Sequence, residues 1–143
     1  MKNKKRVVIV GGLGFIGHNL AIYLKKFGYK VKIIDSLLIN NILALKKNPL
    51  EYPNPKIAKK FLVDRLKLIR KNKIIFDKLD ARDYHKLCRS VDKFNPDVLI
   101  HLAAVSHANK SNKNPYTTFD HSFRTLENSI DAVKKKKIHF IYF

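Results

Sequence analysis

Tryptophan is absent from this 143-residue chain, cysteine and methionine occur once each, and only five residues are glycine. With Cys88 as the single cysteine no disulfide framework can form, and a reducing cytoplasm is the expected compartment. No apolar run approaches the roughly 20 residues of a membrane span, and the basic start at Lys2 to Arg6 leads into a strand pattern rather than a signal-peptide core. Acid is scarce too: 11 Asp and Glu stand against 30 Lys and Arg, a net charge of +19. Such a field attracts polyanions. The excess is mostly lysine, spread along the chain beside many Asn and Ile, as an A/T-rich coding bias would produce. No aromatic-and-basic RNA motif or basic zipper appears, so specific nucleic-acid binding is not expected. His18, His85, His107, His121 and His139 lack metal-ligand spacing, and no metal is expected. The length fits one domain, 1–143, large enough for a core.

Four of the five glycines fall between positions 11 and 17, where two patterns meet. Val7 to Val10 is a β-branched run with the length of a buried strand. Beyond the glycines, Leu13, Ile16, Leu20, Leu24 and Phe27 recur in steps of three and four, one face of a helix, and Gly28 stands where it stops. Gly12, Gly14 and Gly17 fit G-x-G-x-x-G; Gly11, Gly14 and Gly17 fit the wider G-x-x-G-x-x-G. A turn off a strand needs a residue that accepts positive φ, and a pyrophosphate nears the backbone only where no Cβ intervenes. The helix N–H groups and its positive dipole end then hold the phosphates. The second strand, Val31 to Ile34, ends at Asp35, eighteen residues past Gly17. There a carboxylate accepts hydrogen bonds from an adenosine ribose. Strand, helix and acid together favour a dinucleotide site over a glycine turn with no ligand.

Further along, Pro49, Pro53 and Pro55 argue against a continuous helix over residues 36–56. Ile57, Ala58, Phe61, Leu62, Leu66 and Ile69 trace a helix face up to about Arg70. Lys73 to Leu79 reads as strand three, followed by Asp80. A helix from Asp83 presents Tyr84, Leu87, Cys88, Val91 and Phe94, which turns Cys88 to the core, and Asn95-Pro96 stops it. Asp97 to Leu102 is strand four, whose His101 reads as a packed, hydrogen-bonded histidine. After a loop, Pro115 opens a helix with Tyr116, Phe119, Phe123, Leu126, Ile130 and Val133 on one face, capped by the solvated Lys134 to Lys137. Ile138 to Phe143 is strand five. Strands alternating with helices predict an α/β fold: a Rossmann-like, doubly wound parallel sheet of order 3-2-1-4-5, ending after strand five.

GGLGFIG after VVIV, Asp35, LDARD (79–83), HLAA (101–104) and Ser111 with Pro115 follow one another in order. From about Arg6 to Phe143 they resemble the extended short-chain dehydrogenases/reductases, the NAD-dependent epimerase/dehydratase family. The resemblance implies NAD as cofactor. It sets the pyrophosphate at Gly11, Gly14, Phe15, Ile16 and Gly17, and the adenosine ribose at Asp35 with Ser36 beside it. The adenine amino group falls to Asp80 with Ala81, and Leu102, Ala103 and Ala104 line the path towards the nicotinamide. Asp35 as a carboxylate repels a 2′-phosphate, which favours NAD over NADP. Val10 stands where the family usually has Thr, Leu13 where a small residue is common, and His121 or Ser122 where many members carry Asn.

The family's chemistry uses a Ser or Thr just after strand five and a Tyr-x-x-x-Lys on the next helix, whose lysine lowers the tyrosine's pKa from its ordinary ~10. Neither follows here. Tyr52-Pro-Asn-Pro-Lys56 has the spacing, but its two prolines prevent the helix that would align Tyr and Lys. No catalytic residue is assigned. The expectation is therefore the cofactor-binding portion of a nucleotide-sugar epimerase or dehydratase, inactive alone, whose sugar substrate needs a missing C-terminal part. One alternative is a complete, non-catalytic dinucleotide module or subunit, against which the apolar ending IHFIYF counts. Polyanion binding is the other. The family's dimers use helices flanking strand five, which makes the Tyr116 to Val133 helix one candidate half of a homodimer surface.

Overall fold

A computed structural model describes residues 5–105 and 114–143; Ser111 and His107 lie outside the described residues. The apolar run after Arg6 becomes the central strand. β1 (Arg6–Val10) pairs in parallel with β2 (Lys30–Asp35) on one side and β4 (Val98–His101) on the other. β3 (Ile75–Lys78) extends the sheet beyond β2 and β5 (His139–Tyr142) beyond β4, which completes the parallel order β3-β2-β1-β4-β5. This is the topology that the alternation of elements predicts. The order reverses between β1 and β4, and a crevice opens at the carboxyl ends of those strands.

Alternation along β1 feeds two cores. Val7 and Ile9 pack with Ile33, with Ala21 of α1 (Phe15–Lys26) and with Ile69 of α3 (Pro55–Lys71). Val8 and Val10 pack on the opposite face with Ile34 and Leu99, with Leu87 and Val91 of α4 (Tyr84–Phe94), and with Val133 of the last helix. Lys32 interrupts the second face. It is 5% exposed, its Nζ lies 2.6 Å from Asp77 Oδ2, and it donates to Ser90 Oγ at 3.1 Å. Burial would raise the Asp77 carboxyl, but the bonds from Lys32 and Ser90 outweigh it and hold the group below the usual range.

Local chemistry sets the boundaries. Asp83 caps α4 by accepting from the Lys86 N–H, and Asn95 ends it in the left-handed conformation before Pro96. α3 begins at Pro55, two residues before the expected start, because the Asn54 side chain caps it through the Ile57 N–H. Residues 36–56 are less irregular than expected. They hold a short α2 (Ile42–Lys47), capped by Asn41, and a 3₁₀ turn, Pro49–Glu51, before Pro53.

One expectation fails. Cys88 is half-buried rather than in the core: α4 buries Leu87, Ser90 and Val91, and Cys88 sits at the edge of that face, beside Tyr84. The apolar side chains of the last helical region, Val133 apart, point mostly outward. α5 (Pro115–Phe119) passes through a π-helical turn, Asp120–Arg124, into α6 (Thr125–Val133). The wider turn changes the helix phase. Tyr116 is 80% exposed, and Phe119, Phe123 and Ile130 are exposed as well, while Thr125, Asn128, Ser129, Ala132 and Val133 face inward. The inward polar groups have partners: Asn128 Nδ2 donates to the Ala81 and Arg82 carbonyls at 2.9 and 3.0 Å.

Candidate cofactor-binding site

The chain turns at once on leaving β1. Gly11 has φ +78°, and a Cβ there would lie 2.6 Å from the Ala103 backbone nitrogen, so conformation and the exit of β4 both exclude a side chain. A Cβ on Gly17 would lie 2.6 Å from Gly12 Cα, so helix and turn meet without room for one. Gly12 itself packs on the Ile33 side chain and stays out of the crevice. The set that faces the crevice is therefore Gly11, Gly14 and Gly17, the wider of the two spacings. α1 has neither a side-chain cap nor an acid in its first turn. The N–H groups of Phe15, Ile16 and Gly17 have no partner among the described residues. A helix start of this kind has the donors and the dipole end to hold an anion.

Asp35, at the end of β2, ties the turn in place. Its Oδ2 accepts from the Leu13 N–H at 2.9 Å and its Oδ1 from the Leu37 N–H at 2.8 Å. Leu37 makes that bond from a left-handed backbone, φ 64°, strained for a non-glycine residue. Burial pushes the Asp35 carboxyl above its ordinary range, against the pull of the two N–H groups and of the Arg65 charge. Each oxygen retains a lone pair for a further donor.

The opposite wall is built around Arg82. Its Nη2 donates to Asp80 Oδ2 at 2.7 Å, its Nε reaches both Asp80 oxygens at 3.1 Å, and its Nη1 lies 2.5 Å from Asp120 Oδ2 in the π-helical turn. Burial alone would raise Asp80, but Arg82's bonds and charge keep it below the usual range, an ionised acceptor. Behind this wall His101 is 1% exposed. Its Nε2 lies 3.0 Å from the Ala103 carbonyl, which can only accept, so the Nε2–H tautomer fits and Nδ1 faces Ser129 Oγ at 3.0 Å. The packed, hydrogen-bonded histidine expected from the sequence is there.

These walls enclose a cavity of about 710 Å³. Gly11, Gly14, Phe15, Ile16, Gly17, Asp35, Ser36, Asp80, Ala81, Leu102, Ala103 and Ala104, the twelve residues singled out in the sequence, all line it. The residues present fit a dinucleotide: a cradle that a Cβ would fill, free helix N–H groups, and a carboxylate on either side. Sequence reasoning missed the α3 wall of Ala58, Phe61, Leu62 and Arg65, and left His121 without a role although it also lines the cavity. It missed the fork of Arg82 as well, whose only local signal is its place two residues after Asp80. Among the described residues no group of three or more His, Cys, Asp or Glu is placed to hold a metal, and no helix is long and apolar enough to cross a membrane.

Known proteins share this fold. The chain is 32% identical over 130 residues to the UDP-glucose 4-epimerase of Mycoplasma genitalium, covering 91% of this chain and 32% of that protein. It spans about a third of the length of that protein and of Protein CapI from Staphylococcus aureus. Among solved structures, the UDP-glucose 4-epimerase from Bifidobacterium longum in complex with NAD+ and UDP superposes with a TM-score of 0.73 at 20% identity, over 96% of this chain and 36% of that one. The L-threonine dehydrogenase from Clostridium difficile does so with a TM-score of 0.66 at 20% identity, over 99% of this chain and 36% of that one. One fold thus carries different chemistries, and at these identities the superpositions speak for the fold. The family model, however, matches from the first residues of β1 to the last residue, 7–143, and the chain belongs to the NAD-dependent epimerase/dehydratase family.

Proposed function

We propose that this chain is the cofactor-binding portion of an NAD-dependent oxidoreductase of the epimerase/dehydratase type, acting on a nucleotide sugar, and that it turns nothing over alone. The observation that carries this is the convergence of all twelve candidate residues on one cavity at the point where the strand order reverses. The free N–H groups of Phe15 and Ile16 bind the pyrophosphate, the lone pairs left on Asp35 accept from the adenosine ribose, and Asp80 accepts from the adenine amino group. Leu102, Ala103 and Ala104 bound the channel towards the nicotinamide. NAD, when bound, supplies a hydride acceptor. The substrate class comes from the relatives, several of which are UDP-glucose 4-epimerases. The acid–base residues that the family resemblance implies, a Ser or Thr and a Tyr-x-x-x-Lys after strand five, are not found in this chain, which spans 32% of the Mycoplasma relative.

In the longer protein we place a homodimer contact on the outward stripe of α5 and α6, where Phe119, Phe123 and Ile130 line a groove with Tyr84. We place the chain in the reducing cytoplasm, as its single cysteine suits. The test is turnover. The 143-residue chain, supplied with NAD and UDP-glucose, is expected to form no UDP-galactose, and the coding sequence beyond Phe143 is expected to continue in frame, or after a frameshift, into a Tyr-x-x-x-Lys. Epimerisation by the chain alone contradicts the proposal.

A further inference from the structure

Arg65 stands on α3, far in sequence from the glycine turn, yet lines the same cavity. Its guanidinium carbon lies 5.9 Å from the ring centre of Phe15, the first residue of α1. Its charge bears on Asp35 across the crevice. Among the described residues it makes no hydrogen bond and no close ion pair. Burial lowers its pKa, the sign of a cation that has lost water without a full partner in exchange. A planar fork of five donors is thus left uncommitted at the wall of a cavity, facing the helix start whose own N–H groups are free. Both fields are positive, and an anion between them satisfies both.

We propose that Arg65 binds the pyrophosphate of the dinucleotide from the α3 side, opposite the glycine turn, as a cofactor-binding residue outside the glycine motif. This rests on the cofactor-binding function proposed above. A 2′-phosphate has the same chemistry, but its place is beside the Asp35 carboxylate, which opposes it. The pyrophosphate meets no such acid.

Calorimetry on the whole 143-residue chain with NAD, ADP-ribose, adenosine and NADP tests this. Arg65 is half-exposed on a helix, and Arg65→Gln keeps helix propensity, so the fold should survive. Arg65→Gln is expected to weaken NAD and ADP-ribose about tenfold or more. It should also flatten their salt dependence and leave adenosine unchanged, and Arg65→Lys should recover only part of the loss because it lacks the fork. Equal NAD affinity in wild type and Arg65→Gln overturns the proposal. A loss confined to NADP overturns it as well, since it puts the guanidinium at a 2′-phosphate. A wild-type chain that binds no NAD overturns this proposal and the cofactor-binding function together.

Discussion

Lowering the pH from 7 to 5 should cost this protein stability through one buried side chain, His101. Burial pulls its pKa from 6.5 down to about 4, against the bond to the Ala103 carbonyl, which favours the charged form. Between those values the unfolded chain binds a proton that the folded chain refuses. Stability therefore rises with pH across the window from 4 to 6.5 and is lost as pH falls through it. With those two pKa values the loss between pH 7 and pH 5 is about 2 kcal/mol. The assay is urea unfolding at both pH values, on wild type and on His101→Gln, which keeps a donor for the Ala103 carbonyl but cannot titrate. Burial also lowers His18 and His121, but both remain in the variant and their contribution cancels in the comparison. The wild type should lose about 2 kcal/mol more than the variant over this interval. Equal losses would show that His101 does not carry this pH dependence. The consequence reaches the site, because Ala103 is the residue packed on Gly11.

Other perturbations have expected outcomes of their own. Gly11→Ala forces a side chain into a left-handed backbone, at about 1–2 kcal/mol, and against the Ala103 backbone; thermal melting should show a lower Tm, and an unchanged Tm would contradict the geometry. Lys32→Ala leaves Asp77 without its cation at the edge of the second core and should cost about 2–4 kcal/mol in urea unfolding. Water reaching Asp77, whose side chain is 35% exposed, sets the lower end, and a loss within error would show that the pair contributes nothing.

What could be read in the sequence divides by distance along the chain. β1, the glycine turn, α1 and Asp35 were legible because their signals are local: a β-branched run, glycines at fixed offsets, a three-and-four period, and an acid closing the next strand. The choice between two glycine spacings was not, since it depends on Ile33 filling the space above Gly12. The inward face of the last helix was not legible for a related reason. Apolar periodicity groups Phe119, Phe123 and Ile130 on one face, but the face that turns inward is chosen by polar pairings with distant segments, Asn128 with the Ala81 and Arg82 carbonyls and Ser129 with His101, after a π-helical turn that no composition announces. Lys32, Asp77 and Ser90 come from β2, β3 and α4, and each alone reads as a surface residue. Arg65 was invisible in the same way, thirty residues beyond the acid that its charge addresses.

Whether this cavity binds NAD is read directly by calorimetric titration of NAD into the folded 143-residue chain at neutral pH. Wild type should release heat that saturates by millimolar NAD, and Asp35→Ala, confirmed as folded by its melting transition, should bind more weakly. A well-folded wild-type chain that gives no heat at millimolar NAD shows that the cavity does not bind the dinucleotide.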